Sequence, residues 1–298
     1  MPAEYVMEFS QSVQHLIREN EPLAPLTWLQ VGGASRFYAE PCSLEELRCL
    51  VADAQRLGIP FRLLGDGSNI LVRDAGCDGL VINLSSAELS SITVTENKLI
   101  CGSGARLSHA ISHAVGAGLA GIEYLAGIPG TIGGAVVGNA GVKNCDFGSR
   151  VTRVRIIDSE GLTSDLERSS LQFGFRHGNL DGTVVVEVEI GLEPTAREEL
   201  TRRMQAAWIV QRAAQPPSGT RGVQAFVDPD GASIAEVLEE AALKGYTEGP
   251  VALSSEFPGF LVVNGVASSD QVLALIGKVT QSVHARTGIQ LQPQLRIW

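Results

Sequence analysis

Between Leu44 and Gly58 the apolar residues Leu47, Leu50 and Val51 recur at three- and four-residue spacing, behind the capping-box sequence Ser43-Leu44-Glu45-Glu46. This pattern predicts a helix that stops at Gly58. A short strand is predicted from Phe61 to Leu64, followed by a glycine-rich turn and strands around Val81 to Leu84 and Ser91 to Cys101, the latter broken at Glu96-Asn97. A helix from Leu107 to Ala117 is closed by Gly118. Further on, Val184, Val186, Val188 and Ile190 alternate with other positions. They predict a strand with one buried face, placed after a hairpin at Asp158-Ser159-Glu160-Gly161.

From Pro194 to Arg197 the pattern changes from strand to a long helix reaching about Arg212, and a Gln-, Pro-, Gly- and Ser-rich stretch runs from Gln215 to Gly222. The domain boundary is therefore expected near residue 195, giving domains 1–195 and 196–298. The second domain should hold a helix at Ile234 to Ala242, a strand at Phe260 to Val263 and a helix from Ser269 to Thr287. The fold class is α+β, with no internal repeat. Residues Met1 to Asn20 read as an amphipathic helix with charges throughout, which does not fit a secretory leader.

A chain of 298 residues with 44% hydrophobic and 19% charged residues has enough apolar material for two cores. Its 23 Lys+Arg and 33 Asp+Glu give a net charge of −10, with no basic run, so a nucleic-acid partner is not expected. No stretch has the length and apolarity of a membrane span. The five cysteines, Cys42, Cys49, Cys77, Cys101 and Cys145, are widely spaced and lack metal-ligand spacing; they read as reduced, mostly buried thiols. His109 and His113 share a helix face but have no third ligand nearby in sequence. The expected setting is the cytoplasm, and the expected state is a monomer.

Two glycine segments stand out: Gly65-Asp66-Gly67-Ser68-Asn69-Ile70-Leu71 and Gly127-Ile128-Pro129-Gly130-Thr131-Ile132-Gly133-Gly134-Ala135. Glycine permits positive φ and close backbone approach, so successive N–H groups can converge on a pyrophosphate. Ser68, Asn69 and Thr131 add side-chain donors. Each segment alone also reads as an ordinary tight turn; together they favour a ligand. Neither matches the dinucleotide fingerprint or the phosphate loop of nucleotide hydrolases.

With these segments in order, the chain resembles the UDP-N-acetylenolpyruvoylglucosamine reductases (UDP-N-acetylmuramate dehydrogenases, MurB). The resemblance begins at Thr27-Trp28-Leu29-Gln30-Val31-Gly32-Gly33 and includes both loops and Asn139-Ala140-Gly141. It continues through Phe173-Gly174-Phe175-Arg176, Gln215-Pro216 and Leu243-Lys244-Gly245-Tyr246 to Pro293-Gln294-Leu295-Arg296-Ile297. It implies a two-lobed FAD-binding domain of the vanillyl-alcohol-oxidase (PCMH) type and a smaller α+β substrate domain. The short interval between Arg176 and Gln224 matches the shorter family subtype. The resemblance also implies non-covalent FAD, NADPH as hydride donor and a UDP-sugar substrate in peptidoglycan synthesis. Implied cofactor contacts are Gly65, Gly67, Ser68, Asn69, Leu71, Gly127, Ile128, Pro129, Gly130, Thr131, Gly133, Gly134, Ala135, Asn139 and Gly141.

The implied catalytic positions are Arg176, Gln224 and Gln294. Arg176 retains the family's arginine, preceded by Phe175 where a Tyr is usual, and His177 follows it. Gln224 stands where the family has a Ser that protonates carbon, and Gln294 where it has a Glu. The segment Ser254-Ser255-Glu256-Phe257-Pro258-Gly259-Phe260 lacks the family's substrate-binding Lys. Three readings follow: a reductase with altered acid chemistry, a catalytically impaired flavin- or UDP-sugar-binding protein, and a flavin oxidoreductase with another acceptor.

Overall fold

A computed structural model of the chain describes residues 8–142, 145–158, 160–229 and 231–298. The chain forms two compact units interleaved in sequence. The first takes in the chain up to Glu21, Ser35–Asp66 and Asp78–Gln211; the second takes in Pro22–Ala34, Gly67–Cys77 and Arg212–Trp298. A single cut at residue 195 does not describe this division.

The first unit has two cores. One lies among α1 (Gln11–Gln14), α2 (Leu44–Arg56) and a four-stranded sheet whose spatial order is Arg18–Pro22, Ala34–Ala39, Cys77–Asn83, Phe61–Leu64. It is filled by Phe9, Val13, Phe37, Leu47, Leu50, Val51 and Ile82. The expected cap of α2 is present: the Glu46 N–H donates to Ser43 Oγ at 3.2 Å. The Glu46 carboxylate accepts from the Cys42 N–H at 2.6 Å, one residue beyond the reciprocal partner of a standard box. Of the helix expected over residues 1–20, the described residues from 8 onward keep only α1. Arg18–Pro22 is a strand with Asn20 at φ +54, a value foreign to a helix, and residues 1–7 lie outside the description.

The other core is built on a five-stranded antiparallel sheet, spatial order Thr163–Glu167, Val151–Ile157, Val184–Gly191, Lys98–Gly102, Ile92–Thr95. Glu96, at the expected break, is left-handed at φ +51. Against the sheet pack α3 (Leu107–Gly116) and α4 (Ile132–Val137), burying Leu99, Leu107, Ile111, Ile132, Val188 and Ile190. In the hairpin, Ile157 pairs with Thr163, and Asp158 Oδ1 accepts the Glu160 and Leu162 N–H groups at 2.9 Å each. Its Ser159 is outside the described residues.

The strand Val184–Gly191 departs from simple alternation. Val184 and Val186 belong to the first core, whereas Val185, Val188 and Ile190 belong to the second. The register explains the switch: Arg155 faces Glu187 but Ile156 faces Val185, so Val186 is bulged out of the ladder. A single extra residue reverses which face each later side chain takes.

Helix α5 (Arg197–Ala213) also belongs to the first unit, although the boundary expectation assigned it to the second domain. Leu200 is fully buried in the second core, with Met204 and Ala207 packed partly against it at helical spacing. Arg203 on the same helix reaches the buried Glu123 at 3.4 Å. Among the cysteines only Cys101 is buried, with Cys42 and Cys145 exposed. Burial pushes the Cys101 thiol up to about 12.

The second unit is an antiparallel sheet, spatial order Gly222–Gln224, Phe260–Val263, Val251–Leu253, Thr247–Glu248, with α6 (Ile234–Glu240) and α7 (Ser269–Thr287). Its core joins Val223, Phe226, Leu238, Leu261, Val272, Leu275 and Val279 to Leu29, Val31 and Leu71 from the two inserted segments. A complete capping box at Ser268 and Gln271 starts α7, and left-handed Gly288 ends it. Among the described residues no helix is long and apolar enough to cross a membrane.

The placement of α5 has a measurable consequence. Leu200→Ala should lower the unfolding free energy by about 2 to 4 kcal/mol through lost burial and a residual cavity, read from chemical denaturation. A change below about 1 kcal/mol would mean that α5 is not built into the first unit's core.

Candidate functional site

In the first unit the two glycine segments meet. A Cβ on Gly65 would stand 2.6 Å from Thr131 Oγ1, so only glycine lets residue 65 lie against the start of α4. The second segment is fastened by an isolated bridge between Arg106 and Thr131, with the Leu107 N–H on Gly130 C=O at 3.0 Å and the Ile132 N–H on Ala105 C=O at 2.8 Å. Thr131 caps α4, its Oγ1 accepting from the Gly134 N–H at 3.3 Å. The Gly133 N–H donates to Ser103 C=O at 2.8 Å. The N–H groups of Gly65, Gly130 and Thr131 are left with no acceptor among the described residues.

Gly67, Ser68 and Asn69 fall in the second unit. Gly67 has φ +65, and a Cβ there would be 2.2 Å from Leu26 C=O; Gly67 C=O also accepts the Trp28 N–H at 3.1 Å. The close approach that demands glycine at 67 is thus to the Leu26–Trp28 backbone. The N–H groups of Gly67, Ser68 and Asn69 likewise donate to nothing among the described residues. Each unit therefore offers three main-chain donors, which fits an anionic group such as a pyrophosphate.

Other expected contact residues have visible structural duties. Leu71 is fully buried in the second unit's core. Ile128 and Ala135 pack in the first unit's second core. Gly127, at φ +93, leaves room for Gln211 of α5, whose Cβ would be 2.6 Å from an added Cβ. Pro129 lies between Ile128 and Gly130 in the same loop, and Gly141 pairs with Asp146. Asn139 is 2% exposed, and its amide is spent on the protein: Nδ2 donates to Gly174 C=O at 2.8 Å and Oδ1 accepts the Gly148 N–H at 2.9 Å.

That clamp holds the hairpin carrying Arg176. Phe173 pairs with Gly178 and Gly174 with His177, leaving Phe175-Arg176 as a two-residue loop. A Cβ on Gly148 would lie 2.3 Å from the Phe173 ring, and one on Gly174 would lie 2.5 Å from the His177 ring. Arg176 sits at φ +60, a conformation that costs a non-glycine residue energy. Its half-buried guanidinium makes no hydrogen bond or ion pair among the described residues. Burial lowers its pKa below the ordinary arginine value, yet an arginine remains charged at neutral pH. Phe175 beside it is 72% exposed.

In the second unit Gln224 and Gln294 are near neighbours. Gln224 is the exposed last residue of the strand Gly222–Gln224, opposite Phe260. The Gln294 N–H donates to Ala225 C=O at 2.8 Å, and its Nε2 to Gln292 C=O at 3.2 Å. Sequence reasoning missed Arg221, whose guanidinium donates to three main-chain carbonyls, those of Leu29, Gln30 and Gly265. No local pattern announces such a clamp, since its acceptors lie far away in sequence.

Residues 35–167 match the FAD binding domain family, and residues 215–298 match the C-terminal domain of UDP-N-acetylenolpyruvoylglucosamine reductase. A solved 6-hydroxy-D-nicotine oxidase from Arthrobacter nicotinovorans shares the fold, with TM-score 0.60 at 12% identity over 94% of this chain and 85% of its own. Fold and domain match define a flavoprotein with a two-lobed FAD-binding domain of the PCMH type. The solved UDP-N-acetylenolpyruvylglucosamine reductase (MurB) of Thermus caldophilus is similar at TM-score 0.80 and 31% identity, covering 95% of this chain and 99% of that one. The reductase of Rhodopirellula baltica is 43% identical over 298 residues, 100% of this chain and 98% of its own. The chain belongs to the UDP-N-acetylenolpyruvoylglucosamine reductase family, FAD-binding oxidoreductases of peptidoglycan synthesis.

Two stability measurements check this geometry. Asn139→Leu should cost about 2 to 5 kcal/mol, because it strands a buried donor and acceptor and puts a branched side chain at positive φ. Asn139→Asp keeps the acceptor for Gly148 but buries a carboxylate against the Gly174 carbonyl, so it should be at least as costly at neutral pH and recover stability as acid protonates it and restores a donor; a loss that does not change with pH would show that the amide clamp is not the cause. Arg176→Met should leave stability unchanged or raise it by about 1 kcal/mol, since it removes an uncompensated, desolvated charge. A loss of more than about 2 kcal/mol would mean that the guanidinium has a stabilising partner.

Proposed function

We propose that this chain is an NADPH-dependent reductase of UDP-N-acetylenolpyruvoylglucosamine. The observation that carries the reading is Arg176: a charged, half-buried side chain with no partner among the described residues, in a backbone conformation that costs energy. Such a group is retained where an incoming anion completes it. FAD, when bound, would supply the hydride chemistry that links NADPH to the enolpyruvyl double bond. In the first unit Gly65, Gly130 and Thr131, and in the second Gly67, Ser68 and Asn69, carry N–H groups with no acceptor among the described residues, and each set would suit a phosphate of the cofactor. Arg176 faces the substrate carboxylate, where negative charge grows as hydride adds, so its field favours the transition state over the ground state.

Gln224 and Gln294 constrain the rest. An amide donates hydrogen bonds but releases no proton near neutral pH, so neither side chain is the acid that protonates carbon. Losing a positioned general acid costs about 10²- to 10⁴-fold in rate. These two glutamines favour a second reading, a flavin- and UDP-sugar-binding protein that has lost the acceptor half-reaction.

An anaerobic two-step experiment decides between them. NADPH should bleach the flavin of the purified protein, and UDP-N-acetylenolpyruvoylglucosamine should then restore its colour slowly, with UDP-N-acetylmuramate detected by mass. Gln224→Ser combined with Gln294→Glu should speed the second step. Bleaching without recovery in the wild-type protein would contradict the reductase reading and support the second.

A further inference from the structure

Within the second unit, residues Asn69–Arg73 are bonded along their length to Gln294–Trp298. Ile70 pairs in parallel with Arg296, and Leu71 with Ile297. The Arg296 N–H donates to Asn69 C=O at 3.0 Å, the Trp298 N–H to Leu71 C=O at 2.9 Å, and the Arg73 N–H to Trp298 C=O at 2.9 Å. A two-residue parallel ladder is weak by itself. It is prolonged by a side chain: Asn69 Nδ2 donates to Gln294 C=O at 2.9 Å, beyond the point where regular pairing stops. Gln294 passes the connection on, its N–H donating to Ala225 C=O at 2.8 Å, next to Gln224.

Asn69 thus touches two things at once. Its own N–H, like those of Gly67 and Ser68, has no acceptor among the described residues, while its amide is committed to Gln294. We infer that Asn69 is a positioning residue that couples the glycine loop to Gln294 and, through Ala225, to Gln224. Filling the Gly67–Asn69 donors with a pyrophosphate and fixing the backbone of residue 294 are one linked event. The inference rests on the reading of residues 65–72 as part of the cofactor site and of Gln294 as an acceptor-side residue.

Hydrogen exchange on the full-length protein, with and without FAD, tests the coupling. In the wild type FAD should slow exchange of the Gln294, Arg296 and Trp298 amides by about tenfold or more, because an ordered loop holds its partner strand. Asn69→Asp keeps the shape but has no donor for Gln294 C=O. Its carboxylate beside the pyrophosphate should weaken FAD binding, but at saturating FAD it should lose the gain at Gln294, and its Michaelis constant for UDP-N-acetylenolpyruvoylglucosamine should rise more than its kcat falls. Arg296→Pro removes the N–H on the other side of Asn69 and should abolish the same gain. A merely structural role would shift exchange equally with and without FAD. The inference is overturned if FAD leaves 294–298 unchanged in the wild type, or if either variant keeps the full gain. It is also overturned if Asn69→Asp loses FAD while 294–298 stays protected, which would make Asn69 a direct cofactor ligand. Product formation by the wild type, assayed on the same preparation, reports separately on the reductase reading; its absence would leave the exchange result to decide the coupling.

Discussion

A guanidinium taken half out of water, with no counter-charge among the described residues, is the constraint that the hairpin Phe173–Gly178 and its supports are built to hold. Arg176 costs energy twice, in desolvation and in its positive φ. The surroundings hold it there: Asn139 grips Gly174 and Gly148, Gly148 lies beneath the Phe173 ring, and the His177 ring covers Gly174. Gly148 and Gly174 are glycines at places where any side chain would collide with these rings and push the hairpin away. A strained loop held by such neighbours keeps its geometry before a ligand arrives, which is what a preorganised electrostatic site requires.

The glycine loops use a second device. Their glycines are needed mainly so that protein segments can approach one another, Gly65 to Thr131 in one unit and Gly67 to Leu26 in the other. The by-product in each unit is a group of main-chain donors with no acceptor among the described residues, suited to a phosphate. The division of the chain into units falls between Asp66 and Gly67, so that the loop's later residues belong to the body containing Gln224 and Gln294.

Much of this was legible in local sequence. The cap of α2, the break at Glu96 and the two glycine segments follow rules that operate within a few residues, and each is present. What escaped depends on partners distant along the chain. The bulge at Val186 follows from pairing with Val151–Ile157, and α5 joins the first unit because the face bearing Leu200 finds that core. Asn139 is named as a cofactor contact from resemblance; that both ends of its side-chain amide are bonded to the protein is visible only in the fold. Arg176 was named from resemblance, but its lack of a partner is a property of three-dimensional surroundings. Gln224 and Gln294, far apart in sequence, are brought side by side by one backbone hydrogen bond through Ala225.

On the reading proposed above, Arg176, uncompensated among the described residues, is kept for an anionic acceptor. The direct measurement is an equilibrium titration of the oxidised, FAD-loaded protein with UDP-N-acetylenolpyruvoylglucosamine, followed by the flavin absorbance, for wild type and Arg176→Met. The account predicts that the variant binds FAD as tightly as wild type but binds the UDP-sugar at least about tenfold more weakly, as expected on losing a charge-assisted contact. Equal UDP-sugar affinity in the two proteins would contradict it.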